Sequence, residues 1–430
     1  MNTRIARYCD RVIEACWLAA AILTPLFFNI YSARVFEPDK LTLLRSIALL
    51  MAAAWLIRTI EQRGAMASGA EGVSPGGWWR ALVAIPLFPQ VVLLMAVYLL
   101  ATVVSVAPRI SFWGSYQRLQ GTYTTLCYGL IFFITWQSLR TRAQLERLLN
   151  AIVLTSLPVA LYGVLQHYGM DPLPWAGDVT ERVTGNLGNA IFIAAYLIVA
   201  FFVTLDRVVG RFNRLLNAPD STPADAFAGG AYLFILALQA LSIYFSKSRG
   251  PWLGLLAGVY AFVLISLVAM RRSAADRQPL RLGEAAKAAL LAVLSPLVGV
   301  IPAYVGLILA RRGRRWLWLS WCIQSGLAIS FLLVFNLPNT PLAPLREVPG
   351  VGRLGQVFET AGGTGRVRVL IWEATVEMLK ANPVRTLVGY GPESMYVAFN
   401  PFYPPDLAHY EARNASPDRS HNETFDALVT

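Results

Sequence analysis

Two cations stand in a very short polar segment between two long apolar stretches. Residues 246–250 include Lys247 and Arg249, and the sequence is apolar on both sides of them. An arginine side chain is a rigid planar fork that matches a phosphate group, and a lysine is a compact point charge. The pair therefore predicts an anion site. The alternative is that both side chains anchor the ends of the apolar stretches by extending their charged groups into water.

His421 is the residue best suited to accept a proton. It is one of three histidines, and the pattern Ser420-x-x-Glu423 around it is typical of a capping box at a helix start. The first turn of a helix disfavours a charged imidazole, so the ring would stay neutral and could accept a proton. The alternative is a surface or capping histidine. We interpret His409 as a surface residue and His167 as an interfacial one.

Four further arginines could contribute to the anion site. Arg366 and Arg368 stand at the start of a predicted amphipathic helix, and Arg118 and Arg182 stand in two other polar segments. Each taken alone fits simple solvation, but together they could form a cationic cup around a diphosphate. The sequence has no metal-type spacing of cysteines and histidines and no nucleotide-binding glycine motif. Neither a metal nor a cofactor is therefore expected.

The elements that must position these residues are long apolar segments. The chain is 56% hydrophobic and only 14% charged, whereas soluble domains carry about 25% charged residues. About 20 apolar residues are needed to cross the hydrocarbon of a bilayer. The sequence therefore predicts an all-α, polytopic integral membrane protein with about ten membrane segments. The candidate segments are 12–31, 41–57, 88–107, 121–138, 149–166, 188–205, 231–245, 251–270, 288–310 and 316–336.

The distribution of basic residues gives the expected orientation. The net charge is +12, but the basic residues cluster in alternate loops, as cytoplasmic loops of membrane proteins do. We therefore expect a cytoplasmic N-terminus, an outer loop over 338–420, and no nucleic-acid partner. A single crossing at 288–310 would move the basic residues at 311–315 outside. That segment, with Pro296 and Pro302, is therefore predicted to enter the membrane and return, or to lie in the interface.

The outer loop and the end of the chain have their own predicted elements. An amphipathic helix over 366–381 should end before Pro383. A second helix should begin at Gly391-Pro392-Glu393, with Pro392 at its first position and the acid just after it. The last apolar run is incomplete at Thr430, so we expect a longer protein. The predicted domains are a transmembrane helical domain over 1–337, the outer loop over 338–420, and the start of a further membrane helix over 421–430.

Four short motifs follow one another between Arg182 and Asn422, within a resemblance that runs from about residue 105 to 430. They are Arg182-x-x-Gly185-x-x-Gly188-Asn189, Ser248-Arg249-Gly250-x-Trp252, Arg368-x-x-x-Trp372 with Gly389-x-Gly391-Pro392, and His421-Asn422. Their order and spacing resemble those of the O-antigen ligase and O-antigen polymerase-like family. Two features depart from that family's plan: the extra segment 288–310, and an end before the last membrane spans.

The resemblance implies a GT-C-like membrane glycosyltransferase in the inner membrane of a bacterium. Such an enzyme moves a glycan from an undecaprenyl-diphosphate carrier to an acceptor hydroxyl at the outer face, without a metal. A departing diphosphate develops negative charge, which fixed arginine forks stabilise. The acceptor can be a lipid, a glycan or a protein, so a ligase, a glycan polymerase and a protein O-glycosylating enzyme all stay open.

The resemblance also implies roles for individual residues. Arg249 would bind the diphosphate with help from Arg366 or Arg368, and His421 would orient or deprotonate the acceptor in the same outer cavity. The candidates for diphosphate binding are Arg249, Lys247, Arg366, Arg368, Arg118 and Arg182, and those on the acceptor side are Asn422 and Glu393.

Two other classes of protein compete with the enzyme. A small-anion transporter would place ionisable residues near the middle of its spans. Here the spans contain few such residues, with Glu14 and Arg45 near segment ends, and the candidates gather at the outer edge. A scaffold protein would use the outer loop as a docking site. The clustering at the outer edge favours chemistry at the membrane surface.

Overall fold

A computed structural model of the protein describes residues 3–32, 36–67, 86–175, 177–217, 220–269, 314–337, 340–348, 351–357, 363–411 and 415–430. The α-helices are α1 (Arg4–Leu26), α2 (Glu37–Ala67), α3 (Phe88–Val103), α4 (Pro108–Trp113), α5 (Thr122–Ser138), α6 (Arg142–His167), α7 (Ala190–Asn217), α8 (Pro223–Phe245), α9 (Arg249–Ala269), α10 (Arg314–Asn336), α11 (Gly363–Ala381), α12 (Pro383–Val388), α13 (Met395–Ala398) and α14 (Glu423–Val429). Short 3-10 helices cover Gly185–Leu187, Ala343–Glu347, Val351–Gln356, Asn400–Phe402 and Pro405–His409.

The predicted all-α class is confirmed for the described residues, since none of them lies in a strand. Among these residues, five helical segments are long and apolar enough to cross a membrane by length and composition. They are Glu37–Gln62, Arg142–His167, Ala190–Leu215, Pro223–Phe245 and Arg249–Ser266. Phe88–Val103 and Trp321–Asn336 are shorter apolar helices. A total of about ten spans stays a prediction, and the segment 288–310 lies outside the described residues.

Some helices extend beyond the apolar stretches that predict them. Helix α7 continues to Asn217, so Arg211 and Arg214, expected in a loop, lie on helical turns. Arg211 donates to Asp225 at 2.7 Å, in the first turn of α8. Asp225 and Thr222 also form a capping box there. Hydropathy alone does not predict such polar helical turns. A helix can continue beyond its apolar part where caps and charged side chains bond the unpaired backbone groups at its end.

The chain forms two compact units, which are described separately. The first comprises Met1–Tyr162, Thr184–Asn189 and Thr360–Thr430. Helices α1, α2 and α5 share a buried core within it. Its members are Cys9, Ile13, Cys16, Trp17, Ile47, Met51, Ala54 and Ile134. This core leaves the polar segments at the helix ends available for other contacts.

Helix α11 anchors a second core in the first unit. The apolar face predicted from its helical spacing is buried, and it consists of Val367, Leu370, Ile371, Ala374 and Met378. The helix ends at Ala381, as predicted from Pro383. The Tyr390 hydroxyl donates to the Met378 carbonyl at 2.8 Å. Burial raises the pKa of Tyr390, so the hydroxyl keeps the proton that this bond requires.

The second unit comprises Gly163–Val183 and Ala190–Glu359. Helices α7 and α8 pack against each other, and the buried Gln239 Nε2 donates to Thr204 Oγ1 at 3.0 Å. Helix α9 packs on α7 at Gly258, where an added Cβ would lie 2.3 Å from the Phe202 ring. This close approach holds α9, whose first residue is Arg249, against α7.

Candidate functional site

The turn between α8 and α9 is as short as the sequence predicts. Only residues 246–248 separate the two helices, and Ser246 and Ser248 are both buried. Lys247 between them has a φ of +46°, in the left-handed region that non-glycine residues rarely occupy. A strained backbone of this kind persists where surrounding contacts hold it, and it is frequent at functional sites.

Arg182 holds this turn from a neighbouring loop. Its Nε donates to the carbonyl oxygen of Ser246 at 3.2 Å, and its Nη2 donates to Ser248 Oγ at 3.2 Å. The next residue, Val183, donates its backbone N–H to the Phe245 carbonyl at 3.3 Å. Arg182 therefore contacts the turn as a positioning residue, and its charge adds to that of the cations there.

The loop that carries Arg182 is itself held in place. His167 Nδ1 lies 2.8 Å from the Thr180 carbonyl, to which it donates, and its ring stacks on Phe245 with centroids 3.7 Å apart. Asp178 accepts from the Thr180 hydroxyl at 2.6 Å and from the Glu181 backbone N–H at 3.1 Å. The Thr180 hydroxyl and the backbone N–H groups of Glu181 and Thr180 lower the pKa of Asp178. His167 thus has a positioning role.

A 3-10 helix ending at Gln356 completes the cationic surroundings of the turn. Arg249 donates to the Gln356 backbone oxygen at 2.5 Å and to Gln356 Oε1 at 2.8 Å. Arg353, on the same 3-10 helix, donates to the Lys247 carbonyl at 3.0 Å. Both Arg353 and Lys247 face one carboxylate, with Glu181 Oε1 at 3.7 Å from Arg353 and 3.5 Å from Lys247.

We call this group the basic turn cluster; it contains Arg182, Lys247, Arg249, Arg353 and Glu181, and it lies entirely within the second unit. Within it, Lys247 and Arg353 share the Glu181 carboxylate. Three of the cations were candidates from the sequence. Arg353 was not, because it stands in the segment 338–420, which has balanced charge, about a hundred residues along the chain from the turn. Only its contact with the turn identifies it.

Arg366 and Arg368 lie on α11 in the first unit. The Arg366 guanidinium lies 4.0 Å from Asp406, so a carboxylate partly balances its charge. Arg368 is two residues further on, which turns it to another side of the helix. It is exposed, and among the described residues its guanidinium has no ion-pair partner. Of the two arginines, Arg368 is the one available to an anion.

Trp372 connects this helix to the segment that carries His421. It follows Arg368 by four residues, so the two side chains lie on one face of α11. The Trp372 indole Nε1 donates to the Ser420 carbonyl at 2.9 Å, and its ring lies 6.1 Å from the Phe425 ring. The motif Arg368-x-x-x-Trp372 is therefore connected to the His421 segment by a hydrogen bond to the backbone of Ser420.

His421 does not occupy the first turn of a helix, so that expectation is wrong. Helix α14 begins at Glu423, and its N-cap is Asn422, whose side chain accepts from the Thr424 backbone N–H at 3.0 Å. Ser420 Oγ instead donates to Asp426 at 2.7 Å. His421 is exposed in the turn before the cap, with a φ of +55°. Asn422, predicted on the acceptor side, thus has a capping role.

Arg118 takes part in a network of charged groups in the first unit. Its Nε donates to Asp418 and its Nη1 lies 3.3 Å from Glu37. The Gln120 side-chain Nε2 donates to the Glu37 carboxylate at 3.1 Å, and its Oε1 accepts from Arg419. Burial alone would lower the pKa of Arg118, but its hydrogen bond with Asp418 and the nearby carboxylates raise it. The charge of Arg118 is therefore engaged by protein carboxylates.

Glu393 joins the segment before α13 to the loop after α4. Its carboxylate accepts backbone N–H groups from Ser115 and from Gln120, the latter at 2.9 Å. The expected helix start at Gly391-Pro392-Glu393 is wrong: Glu393 lies in a turn with a φ of +52°, and α13 begins at Met395. Carboxylate bonds to two backbone donors account for this conformation.

Backbone conformation and close packing explain why glycine stands at three positions of the motifs. Gly185 and Gly188 have φ values of +57° and +71°, and an added Cβ on Gly188 would lie 2.1 Å from the Phe36 ring. Gly391 has a φ of +108°, and an added Cβ would lie 2.2 Å from Ser105 Oγ. Only glycine combines these conformations with such close approach.

The predicted site residues are divided between the two compact units. Lys247, Arg249 and Arg182 belong to the second unit; Arg118, Arg366, Arg368, Glu393, His421 and Asn422 belong to the first. The expectation of one cavity shared by Arg249 and His421 stays a prediction. Among the described residues, no group of three or more histidine, cysteine, aspartate or glutamate side chains could hold a metal ion.

The long apolar helices and the clustered cations define a membrane protein with polar, cationic helix ends. Residues 233–430 match a family model described as O-antigen ligase, which confirms the resemblance inferred from the motifs. The matched range contains Arg249, Arg353, Trp372 and His421. It supports a function of the O-antigen ligase or polymerase type, in polysaccharide biosynthesis at a bacterial membrane. No curated protein and no solved structure matches the chain.

Proposed function

We propose that the protein transfers a glycan from an undecaprenyl-diphosphate carrier to an acceptor hydroxyl at the outer face of the bacterial inner membrane. The basic turn cluster is the observation that carries this proposal. Lys247 and Arg353 share the Glu181 carboxylate, and Arg182 and Arg249 bond the same turn and the 3-10 helix beside it. Four cations are therefore gathered at a turn between two apolar helices. A membrane-anchored diphosphate is the kind of ligand that such a cluster would bind.

The cluster would act mainly on the leaving group. In the transfer, the bond between the anomeric carbon and the diphosphate oxygen breaks, and both bonding electrons leave with the diphosphate. Its negative charge therefore increases in the transition state. Lys247 and Arg249 stand at the turn, and Arg249 would exchange its two bonds to Gln356 for bonds to the phosphate oxygens. Cations fixed beside the leaving group stabilise that charge as it develops. Arginine adds a bidentate fit to phosphate oxygens.

The acceptor hydroxyl must lose its proton as it attacks the anomeric carbon. His421 is exposed and held next to the Trp372 contact, so its imidazole is available to take that proton. Arg368, on the same face of α11 as Trp372, would contribute a second cation for the donor. In this proposal Arg249 and Arg368 bind, His421 accepts the proton, and no metal enters the reaction.

The direct experiment measures glycan transfer from a purified undecaprenyl-diphosphate-linked donor, in the presence of EDTA. We expect transfer by the wild-type protein. Arg249→Ala should lower turnover at least about tenfold, because a charge-assisted hydrogen bond contributes about 1.5–3 kcal/mol. Arg249→Lys should restore part of the loss. Arg142→Ala is the matched control, since that side chain is 90% exposed and pairs with Glu146 across one helical turn.

Two results would contradict the proposal. Full turnover by Arg249→Ala at normal expression would leave Arg249 as a membrane anchor only. Loss of wild-type transfer in EDTA, with recovery on adding a divalent cation, would reject the metal-free mechanism. The nature of the acceptor is decided by offering a lipid, a glycan and a protein acceptor to the same preparation.

A further inference from the structure

We infer that Arg353 is a further diphosphate-binding residue and that Glu181 is an internal counter-ion which the bound diphosphate replaces. The inference rests on the proposed function, and it concerns residues outside the four motifs. Two observations support it. Arg353 and Lys247 share the carboxylate of Glu181, and the 3-10 helix ending at Gln356 is bonded to the turn between α8 and α9.

Arg353 is fixed where an anion at the turn would lie. One arm of its guanidinium, Nη1, donates to the Lys247 carbonyl at 3.0 Å. The same 3-10 helix is held by Arg249, which makes two bonds to Gln356. Anchoring by one arm leaves the other arm, Nη2, free to turn toward an anion. That arm faces Glu181 at 3.7 Å.

The Glu181 carboxylate is held by charge more than by hydrogen bonds. Its Oε1 lies 3.5 Å from Lys247 and 3.7 Å from Arg353, and both distances exceed the usual hydrogen-bond range of about 2.7–3.2 Å. The side chain is 61% exposed, so it can rotate into water at little cost. The backbone of Glu181, in contrast, is fixed by Asp178.

A diphosphate fits this cluster better than the carboxylate does. It offers more acceptor oxygens, and it carries one negative charge on each phosphorus while both of its ends are esterified. It gains another negative charge when the sugar leaves. Lys247 and Arg353 share a single carboxylate charge, whereas a diphosphate can offer each of them its own negatively charged phosphate. Binding therefore releases Glu181 to water and gives Lys247 and Arg353 shorter, charge-assisted bonds.

The test is equilibrium binding of farnesyl diphosphate to the purified full-length protein in detergent, by titration calorimetry. Glu181→Gln should tighten binding about two- to fivefold, because it removes a competing carboxylate from an exposed pair. Arg353→Gln should weaken binding about tenfold, and Arg353→Lys should recover part of that loss. Asp220→Asn is the matched control for charge: this carboxylate is 77% exposed and pairs with Arg214.

The outcomes separate this inference from the proposed function. If Glu181→Gln binds no tighter than the wild type while Arg249→Ala loses binding, the counter-ion role is overturned and the diphosphate site stands. If Arg353→Gln binds as tightly as the wild type, the role of Arg353 is overturned. If Arg249→Ala also leaves binding unchanged, the proposed diphosphate site itself fails. A tightening by Asp220→Asn equal to that by Glu181→Gln would reduce the effect to net charge and reject the inference.

Discussion

The indole Nε1 of Trp372 donates a hydrogen bond of 2.9 Å to the carbonyl oxygen of Ser420. This bond ties α11 to the backbone immediately before His421. The Trp372 ring also packs near Phe425, which follows His421 in the chain. Because Arg368 lies one turn earlier on the same face of α11, one helix carries a candidate cation and positions the candidate base.

Replacing Trp372 by Phe should lower the turnover number about two- to tenfold and leave the donor KM nearly unchanged. The ring packing is kept, but the hydrogen bond that positions the His421 segment is lost, and such a bond contributes about 0.5–1.5 kcal/mol. Steady-state kinetics with purified donor measures both constants. Trp136→Phe, at a half-exposed residue of α5, is the control. Unchanged turnover in Trp372→Phe would reject the positioning role.

Glu393→Ala should destabilise the protein by about 1–3 kcal/mol, because it leaves the backbone N–H groups of Ser115 and Gln120 without their acceptor. Glu393→Gln should cost less, since one acceptor oxygen remains. Thermal unfolding in detergent measures the change, with Glu411→Ala, an exposed residue of the same loop, as control. A raised acceptor KM without loss of stability would instead favour the acceptor-side role predicted from the sequence.

The periodicity of apolar residues predicted α11 well. All five residues that define its apolar face are buried, and Pro383 marked its end correctly. The start of α14 was predicted two residues too early, because both Ser420 and Asn422 are good helix caps. The Asp426 carboxylate accepts hydrogen bonds from the backbone N–H and the hydroxyl of Ser420, at 2.8 and 2.7 Å. Ser420 is thereby engaged, and Asn422 caps the helix. Such a choice depends on tertiary contacts that a local pattern does not contain.

The candidate site was also predicted only in part, because some of its contacts join residues that are distant in the sequence. Residue types and charge identified Lys247 and Arg249, since two cations in so short a turn are unusual. Charge could not distinguish Arg118, whose carboxylate partners come from Glu37 and Asp418, distant in the sequence. Nor could it identify Arg353, whose importance depends on its contact with the Lys247 carbonyl.

The predicted orientation can be tested by cysteine labelling with a membrane-impermeant maleimide in intact cells. Cys322 is exposed and should first be replaced by Ser; Cys9, Cys16 and Cys127 are buried. A cysteine at Val384, which is 69% exposed, should react from outside. A cysteine at Asp220 should react only after permeabilisation, because the basic loops are predicted to be cytoplasmic.

The same experiment decides the path of the segment 288–310. A cysteine at Gly313 should be protected in intact cells if the segment enters and returns or lies in the interface. Labelling of that cysteine from outside would show that the segment crosses once. Protection at Val384 together with labelling at Asp220 would reverse the whole orientation.

His421→Ala should lower glycan transfer at least about 100-fold, because general-base assistance contributes about 10²–10⁴-fold. Binding of farnesyl diphosphate should stay within about twofold of the wild type, since the proposal gives His421 no part in holding the donor. His421→Gln can hold the acceptor hydroxyl but cannot take its proton, so its residual turnover separates orientation from proton transfer. His409→Ala is the matched control, because His409 is an exposed histidine of the same loop. Equal losses in His421→Ala and His409→Ala, or a parallel loss of donor binding, would remove His421 from the role of base and leave it as a structural residue of the turn before α14.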